Sequence, residues 1–392
     1  MKYKVFLLCF LCFLCFPMAT RTAYAENARK RDRARVIFVG DIMAHKEQIE
    51  GAKRGASWDF APQFRRVKPL FDDALVVGNL ETVFAGEKRG FAGYPSFNTP
   101  DELADALADL GVNVVTLANN HILDRGPSGA ARTMEVLDRA GVLHVGLGSG
   151  DHPDEALTLE HAGLRWAFVN YSYGSNRPPA SGDARLNTIS DAAVTEGLHR
   201  ACLSSPDVVV ACFHWGNEYQ FSPTKRQREI AALSLEKGAN LVIGTHPHVL
   251  QPVEVAAGTD SSRGYGLTAY SLGNFISYQR TLPRERGVIL AVDVEKTSGD
   301  RARISRVSVA PTRVSATRPK GRHSIQVVYA GESARFNHAG LATGELKAAR
   351  LAGKKVLDFL GAAESPDEEG FYALWDAASP DVLPQGKRKS PQ

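Results

Sequence analysis

Two histidines stand one residue apart in segment 244–249, which reads GTHPHV. His246 and His248 flank Pro247, and the segment follows the apolar run 241–243. An isolated pair of this kind is most simply explained as two surface imidazoles. Imidazole is also a common ligand of transition metals, and a proline stiffens the backbone that would aim two such ligands. The rest of the sequence has to decide whether the two histidines are surface residues or metal ligands.

Polar residues stand at the ends of other apolar runs as well. The residues, each with the run that it follows, are Asp41 (35–39), Glu81 (74–77), Asn120 and His121 (112–117), His214 (207–213), and His246 and His248 (241–243). In open α/β sheets the ligand site lies beyond the carboxyl ends of the strands, where short loops bring such residues together. The series therefore predicts one shared site.

The chemistry of this series is that of a divalent metal. Carboxylate, amide oxygen and imidazole ligands together suit Mn, Fe or Zn, and the lack of cysteine disfavours a structural zinc site. The series offers more ligands than one ion needs, whereas two ions about 3.5–4 Å apart and bridged by a carboxylate would use them all. Such a centre generates hydroxide from water near neutral pH, so we expect one or two divalent ions and hydrolytic chemistry.

The elements that must position these residues alternate along the chain. Helical patterns at 100–110, 128–140 and 225–237 separate the apolar runs, which predicts an α/β architecture with buried sheets. After about residue 250 the chain shows extended runs, which we expect to complete the second sheet as antiparallel strands: 252–255, 267–275, 287–294 and 304–309. A helix is expected over 341–360, and the segment from Glu364 on is expected to be loose.

The N-terminus has the features of a secretory signal peptide. Lys2 and Lys4 precede the apolar run 5–16, and an A-x-A cleavage pattern ends at Ala25. The run is shorter than the roughly 20 residues that span a bilayer. We expect residues 1–25 to be removed on export to a periplasm or cell surface. The alternative is an uncleaved N-terminus that anchors the protein in the membrane.

The composition excludes some partners. The chain has 392 residues, of which 44% are hydrophobic, which suffices for one large core or for a core with an appendage. Its formal charge is +4, but three of the positive charges, Lys2, Lys4 and Arg21, lie in the predicted signal peptide. The remainder is close to neutral, so we expect no nucleic acid partner and no electrostatic binding to anionic membranes.

Six segments follow one another along the chain: GDIM (40–43), NLET (79–82), LANNHILDRG (117–126), HWGNEYQ (214–220), GTHPHVLQPVE (244–254) and YSLGNF (270–275). In this order they resemble the CapA family of poly-γ-glutamate capsule biosynthesis proteins, within the calcineurin-like metallophosphoesterase superfamily. The resemblance implies a metallophosphoesterase-like β-sandwich flanked by helices in four αββα layers over residues 34–315. A C-terminal extension with a helix and a loose tail would follow over residues 316–392.

Residue by residue, the resemblance implies the following roles. His121 would be the general acid that protonates the leaving group, and Asp124 would orient it. Glu218, Tyr219 and Asn274 would line the substrate pocket, although loop-capping or packing explains these three equally well. The metal ligands would be Asp41, which could bridge two ions, and Glu81, Asn120, His214, His246 and His248.

One position departs from the superfamily pattern. The general pattern after the first strand is Asp-x-His, and here the third residue is Met43. The loss of a ligand would leave one ion site poorer or empty. His45 could replace the ligand if the loop bends, or Lys46 could place a positive charge there and bind an anionic substrate group.

Two functions remain open on this sequence. The first is an exported metal-dependent hydrolase or transferase that acts on a phosphoester or on a γ-glutamyl polymer. The second is a non-catalytic factor for polymer assembly and export on a metallophosphatase scaffold. Both imply an anionic polymer or a phosphoester as ligand, and a place beside the capsule machinery of the cell envelope.

Overall fold

The computed structural model describes residues 31–149, 156–177, 184–257, 264–297, 300–336 and 338–379. The predicted signal peptide, residues 1–25, lies outside these residues and stays a prediction. None of the helices in the described part of the chain has the length and apolar character needed to cross a membrane.

Strands and helices alternate over most of the described chain. The strands are β1 (Arg31–Ile42), β2 (Lys53–Arg54), β3 (Ser57–Trp58), β4 (Leu75–Leu80), β5 (Val112–Thr116), β6 (Leu143–Val145), β7 (Leu147–Ser149), β8 (Leu157–His161), β9 (Leu164–Ser172), β10 (Ala184–Leu186), β11 (Val208–His214), β12 (Leu241–Thr245), β13 (Val253–Ala257), β14 (Tyr265–Ala269), β15 (Asn274–Ile276), β16 (Arg286–Thr297), β17 (Arg303–Thr317), β18 (Ser324–Tyr329) and β19 (Tyr372–Asp376). The helices are α1 (Lys46–Ala52), α2 (Glu102–Leu110), α3 (Gly126–Ala140), α4 (Asp191–Leu203), α5 (Lys225–Glu236) and α6 (Thr343–Leu360).

Two large mixed sheets form the centre of the protein. The first has the order β18-β17-β16-β1-β4-β5-β6, with β15 beside β1 and β19 beside β17. In it, β1, β4, β5 and β6 run parallel to one another, whereas β16, β17 and β18 form an antiparallel extension. The second has the order β13-β14-β12-β11-β9-β8, parallel in its middle and antiparallel at both edges.

Alternation along β11 shows how the sheets pack. Val208, Val210 and Cys212 join the core shared with the first sheet, while the intervening residues face a smaller core under α4 and α5. Helices α1, α2, α3 and α6 contact strands of the first sheet. The structure therefore confirms the predicted α/β fold, a β-sandwich with helices outside both sheets.

The chain after residue 250 departs from the prediction. Strands β16 and β17 belong to the first sheet and not to the second, because β16 pairs antiparallel with the whole of β1 up to Phe38. The predicted run 267–275 is two strands, β14 in the second sheet and β15 in the first. This crossing places Asn274 beside Asp41, so one segment contributes to both halves of the sandwich.

The C-terminal region is partly as expected. The predicted helix is present as α6, which packs on β17. The prediction of a loose tail from Glu364 is wrong for β19, where Tyr372 and Trp375 are buried and pair with β17. A short apolar run, Tyr372 to Trp375, forms this strand, and the charged residues around it concealed the run. The boundary at residue 315 stays a prediction.

Candidate metal centre

The parallel strands of both sheets end at the same edge of the sandwich. Asp41 is the second-last residue of β1 and lies beside Asn79 of β4, and β11 ends with His214 in register with Thr245 of β12. The loop after β12 carries His246 and His248. All of these side chains are buried, although their types belong at protein surfaces, so the site is a polar interior between two sheets.

Three groups of side chains have the geometry of a metal site, each with ligand atoms within 4.8 Å of one another. The first combines Asp41, Glu81 and His248, and the second combines Glu81, His214 and His246. The third combines Glu218 with His246 and His248. Glu81, His246 and His248 each belong to two of the groups. Among the described carboxylates, Glu81 is the one shared by two groups, which places it between two positions.

The remaining predicted ligand lies against the second group. Asn120 Oδ1 is 2.9 Å from His214 Nε2, and its side chain is buried at the end of β5. On the other side, His248 Nδ1 is 2.9 Å from Asp41 Oδ2, which leaves Nε2 3.7 Å from Glu81 Oε1. The structure thus brings together all six residues that the sequence predicted as ligands.

Two atoms of the cluster fit a bound cation. Glu81 Oε1 and His246 Nδ1 are buried and have no hydrogen-bond partner among the described residues. Burial raises the pKa of Glu81 well above its usual range, and the nearby carboxylate of Asp41 raises it further. A buried acceptor without a partner costs free energy, and a divalent cation between these residues would satisfy both atoms.

The histidines of the cluster are held in the neutral form that ligates metals. Burial lowers the pKa of His214 well below its usual range, and neighbouring imidazoles lower it further. Burial and His248 lower the pKa of His246 to about 4. A neutral imidazole offers a lone pair at neutral pH, so these shifts favour metal binding.

The backbone of the His-x-His segment is unusual. His246 has a φ of 97° and His248 a φ of 56°, in the left-handed region that residues with a side chain rarely adopt. The turn leaves the two rings 5.8 Å apart at an angle of 60°, so that each belongs to a different ligand group around Glu81. Strained residues of this kind cluster at functional sites.

Asn79 holds the side chain of Asp41 in place by a hydrogen bond. This residue was not predicted from the sequence. Its Nδ2 donates to Asp41 Oδ1 at 2.8 Å, and its Oδ1 accepts from Thr116 Oγ1 at 3.2 Å. The amide therefore fixes the orientation of a ligand. The signal was available, because a polar residue inside the buried strand β4 has to be paired.

His121 and Asp124 form a buried pair beside the cluster. His121 Nδ1 donates to Asp124 Oδ2 at 2.9 Å, and the same oxygen accepts from Phe97 N at 2.7 Å. The carboxylate accepts the Nδ1 hydrogen, so it fixes the tautomer and leaves Nε2 for the substrate side. Asn176 Nδ2 lies 3.5 Å from that Nε2 and was also missed, since nothing in its loop sequence marks it.

The predicted pocket residues fall into two groups. Asn274 is buried, donates to Arg284 O at 2.9 Å and has an Oδ1 without a partner in the described chain. The ring of Tyr219 lies 6.1 Å from that of His248, with the guanidinium of Arg284 stacked 3.3 Å from its centre. Burial raises the pKa of Tyr219, and its hydrogen bond to the exposed Glu218 adds to the rise.

Lys46 is placed differently. Its side chain is 77% exposed at the start of α1, and its Nζ lies 3.7 Å from Glu50. Met43 is buried, and its backbone is engaged with Ile276 and Gln48. His45 caps α1 and accepts from Tyr278 N at 3.2 Å. It belongs to none of the three ligand groups found in the described chain.

An α/β sandwich that gathers carboxylates, imidazoles and an asparagine at its strand ends, next to a His-Asp pair, defines a candidate divalent-metal centre. Residues 35–279 match the family model of the bacterial capsule synthesis protein PGA_cap. The chain belongs to this family, as the resemblance of the six segments indicated.

Named relatives agree with this assignment. The chain is 29% identical over 265 residues to the capsule biosynthesis protein CapA of Bacillus anthracis, a match that covers 63% of this chain and 61% of the relative. It is 28% identical over 283 residues to the PGA biosynthesis protein CapA of Bacillus subtilis (strain 168), a match that covers 69% of this chain and 70% of the relative. The match spans about three fifths of the B. anthracis protein's length.

Solved structures with a similar arrangement are distant. The NAD nucleotidase NadN of Haemophilus influenzae has a TM-score of 0.46 at 12% identity, over 83% of this chain and 63% of that protein. The 5'-nucleotidase of Candida albicans SC5314 has a TM-score of 0.41 at 11% identity, over 71% of this chain and 52% of that protein.

Proposed function

We propose that this protein is an exported, metal-dependent hydrolase or transferase of capsule polymer metabolism, acting on a phosphoester or on a γ-glutamyl polymer. The observation that carries the proposal is the position of Glu81, whose carboxylate is shared by two ligand groups and has a buried oxygen without a partner in the described chain. Membership of the capsule synthesis family supports the polymer context.

The residues present fit two divalent ions. Asp41, Glu81 and His248 would hold one ion; Glu81, His214 and His246 would hold the other, with Asn120 beside it. Ions bound there would activate water and neutralise charge that develops on the substrate. Imidazole, carboxylate and amide ligands together favour Mn, Fe or Zn. Met43 supplies no ligand, so we expect the Asp41 position to bind its ion more weakly.

The protein's own contribution to the chemistry is the placement of a proton. Asp124 holds the Nδ1 hydrogen of His121, so a proton on Nε2 faces the leaving group. The ring of Phe97 packs edge-to-face against His121, with the ring centres 4.7 Å apart at an angle of 83°, and restricts rotation of the imidazole. Asn176 lies within reach of the same nitrogen and would help to orient the leaving-group atom.

A non-catalytic role in polymer assembly or export is the second candidate. The observation that favours it is Met43, since a buried thioether stands where the superfamily pattern has a ligand. A scaffold protein would retain the fold and bind polymer, with no need for the His121–Asp124 pair.

The test is turnover by metal-loaded protein. The panel contains bis(4-nitrophenyl) phosphate and γ-glutamyl-4-nitroanilide, each with Mn²⁺, Fe²⁺ or Zn²⁺. We expect His121→Gln to lower kcat by about 10²–10³-fold with metal content unchanged, as for loss of a general acid. His144→Gln, a change outside the site, should have no effect. Absence of turnover on both substrate classes would reject the catalytic proposal in favour of the scaffold.

A further inference from the structure

Three arginines lie together at the His121 side of the centre, and we call Arg89, Arg125 and Arg177 the arginine rim. Arg125 Nη2 donates to Ser96 O at 2.7 Å, and Arg177 Nη2 donates to Ser96 Oγ at 3.2 Å. Arg89 Nη1 donates to Arg125 O at 2.6 Å. These hydrogen bonds go to neutral groups of the same loops, so they fix the guanidinium groups without neutralising them.

Within the described ranges, no ion pair joins any of the three arginines to a carboxylate, whereas Arg132 and Arg313 are paired with Asp101 and Glu345. Arg89 and Arg177 are exposed. Burial lowers the pKa of Arg125, and the positive charges of Arg177 and Arg89 add to that effect against the opposing carboxylate of Asp124. Clustered like charges cost free energy that a bound anion would recover.

Two arginines of the rim are neighbours in sequence of the residues that contact His121. Arg125 directly follows Asp124, whose carbonyl oxygen accepts from Ser96 Oγ at 3.2 Å. Arg177 directly follows Asn176, whose Nδ2 lies 3.5 Å from His121 Nε2. If His121 protonates the leaving group, the rim lies on the leaving group's side of the scissile bond.

An exposed tyrosine lies at the same place. Tyr94 is 70% exposed, and its ring centre lies 6.3 Å from that of His121. A large exposed ring beside a polar centre is typical of a surface that contacts ligand. The leaving-group side is therefore open, partly apolar and positively charged.

We propose that the arginine rim binds a carboxylate or phosphate carried by the leaving group, so that the substrate is an anionic chain and not an ester with a single charged centre. The inference rests on the proposed function for its orientation, because the role of His121 defines the leaving-group side. Guanidinium groups suit this task since they bind oxyanions in a bidentate manner and stay charged.

The experiment compares two phosphodiesters on metal-loaded full-length protein. One is methyl 4-nitrophenyl phosphate, and the other carries a carboxylate on the leaving nitrophenol. We expect Arg89→Gln and Arg177→Gln each to raise KM for the carboxylated diester about fivefold, as for the loss of an exposed ion pair. KM for the diester without a carboxylate should stay the same. The control Arg65→Gln removes an exposed charge that lines a different pocket, and should alter neither.

A binding measurement separates this inference from the proposed function. The probe is a fluorescein-labelled decamer of γ-glutamate, followed by anisotropy at two salt concentrations. If neither diester is hydrolysed but both rim variants bind the decamer about fivefold more weakly than the Arg65→Gln control, the rim is supported and the hydrolase proposal fails. Equal effects on both diesters, or equal decamer binding by all variants, would overturn the rim.

Discussion

The replacement Asp124→Asn tests the buried pair without changing its shape. Asp124 Oδ2 accepts two hydrogen bonds, one from His121 Nδ1 at 2.9 Å and one from Phe97 N at 2.7 Å, in a side chain that is 2% exposed. Asparagine keeps one acceptor oxygen and turns the other position into an NH₂ donor. Because both donors point at the same oxygen, the amide oxygen can accept from both, but the two hydrogen bonds lose the negative charge of the carboxylate.

The magnitude follows from the charge and the burial. A hydrogen bond to a charged group contributes about 1.5–3 kcal/mol and a neutral one about 0.5–1.5 kcal/mol. The loss of about 1–1.5 kcal/mol corresponds to a fall in kcat of about 5- to 13-fold if it is confined to the transition state. The same substitution should lower the free energy of unfolding by about 1–3 kcal/mol. Metal content should not change, because Asp124 belongs to none of the ligand groups found in the described chain.

The assay combines kcat and KM for the better substrate of the panel, metal content by mass spectrometry, and thermal unfolding. Asp101→Asn is the matched control, since Asp101 also accepts side-chain hydrogen bonds, two from Arg132 and one from Arg139, but is partly exposed at the start of α2. It should lose stability with kcat unchanged. The account would be refuted by an Asp124→Asn protein with wild-type kcat, or by one that loses its metal.

Other consequences follow from packing and burial. Gly40→Ala would place a Cβ 1.9 Å from Gly273 O beside the end of β1. We expect the free energy of unfolding to fall by about 2–4 kcal/mol in urea unfolding, and metal titration to show weaker binding. Gly344→Ala is the control, because its Cβ would meet nothing within 4 Å. Cys212, whose pKa burial raises to about 12, should react with a thiol reagent at pH 8 only after unfolding, and rapid native labelling at this residue would contradict its burial. The pKa of His246 is lowered to about 4 from the ordinary 6.5, so the unfolded state binds the proton more tightly and metal-free protein should lose stability as pH falls from about 6.5 to 4. His246→Gln should reduce this dependence of the unfolding temperature on pH, and an unchanged dependence would contradict the assignment.

The sequence predicted which polar residues lie together better than it predicted the fold around them. Each ligand lies at the end of a strand or within four residues after it, and the ends of parallel strands meet at one edge of a sheet. Order along the chain was therefore enough to group Asp41 with Glu81 in the first sheet and His214 with His246 in the second. The partners that orient them were not accessible in this way. Asn176 reaches His121 from a loop after β9, and only the packing of the two sheets brings that loop to the site.

The errors in the fold have a common physical cause. Apolar alternation identified β16 and β17 as strands, but it carries no information on which sheet a strand joins. That choice is made by the length of the antiparallel pairing with β1, from Arg31 to Phe38, which the pattern of a single strand does not encode. The division of 267–275 arises at Gly273, where a φ of 68° turns the chain from one sheet to the other.

The central claim is that Glu81 lies between two metal positions, and metal stoichiometry tests it most directly. Protein purified without chelator and reloaded with Mn²⁺ or Zn²⁺ would be measured by inductively coupled plasma mass spectrometry, beside His246→Ala, His248→Ala and the control His144→Ala. The account predicts near two ions per chain, with a loss in both site variants, a larger loss in Glu81→Gln, and no change in the control. A protein that binds no metal after reloading, or that binds the same amount in all variants, would contradict it.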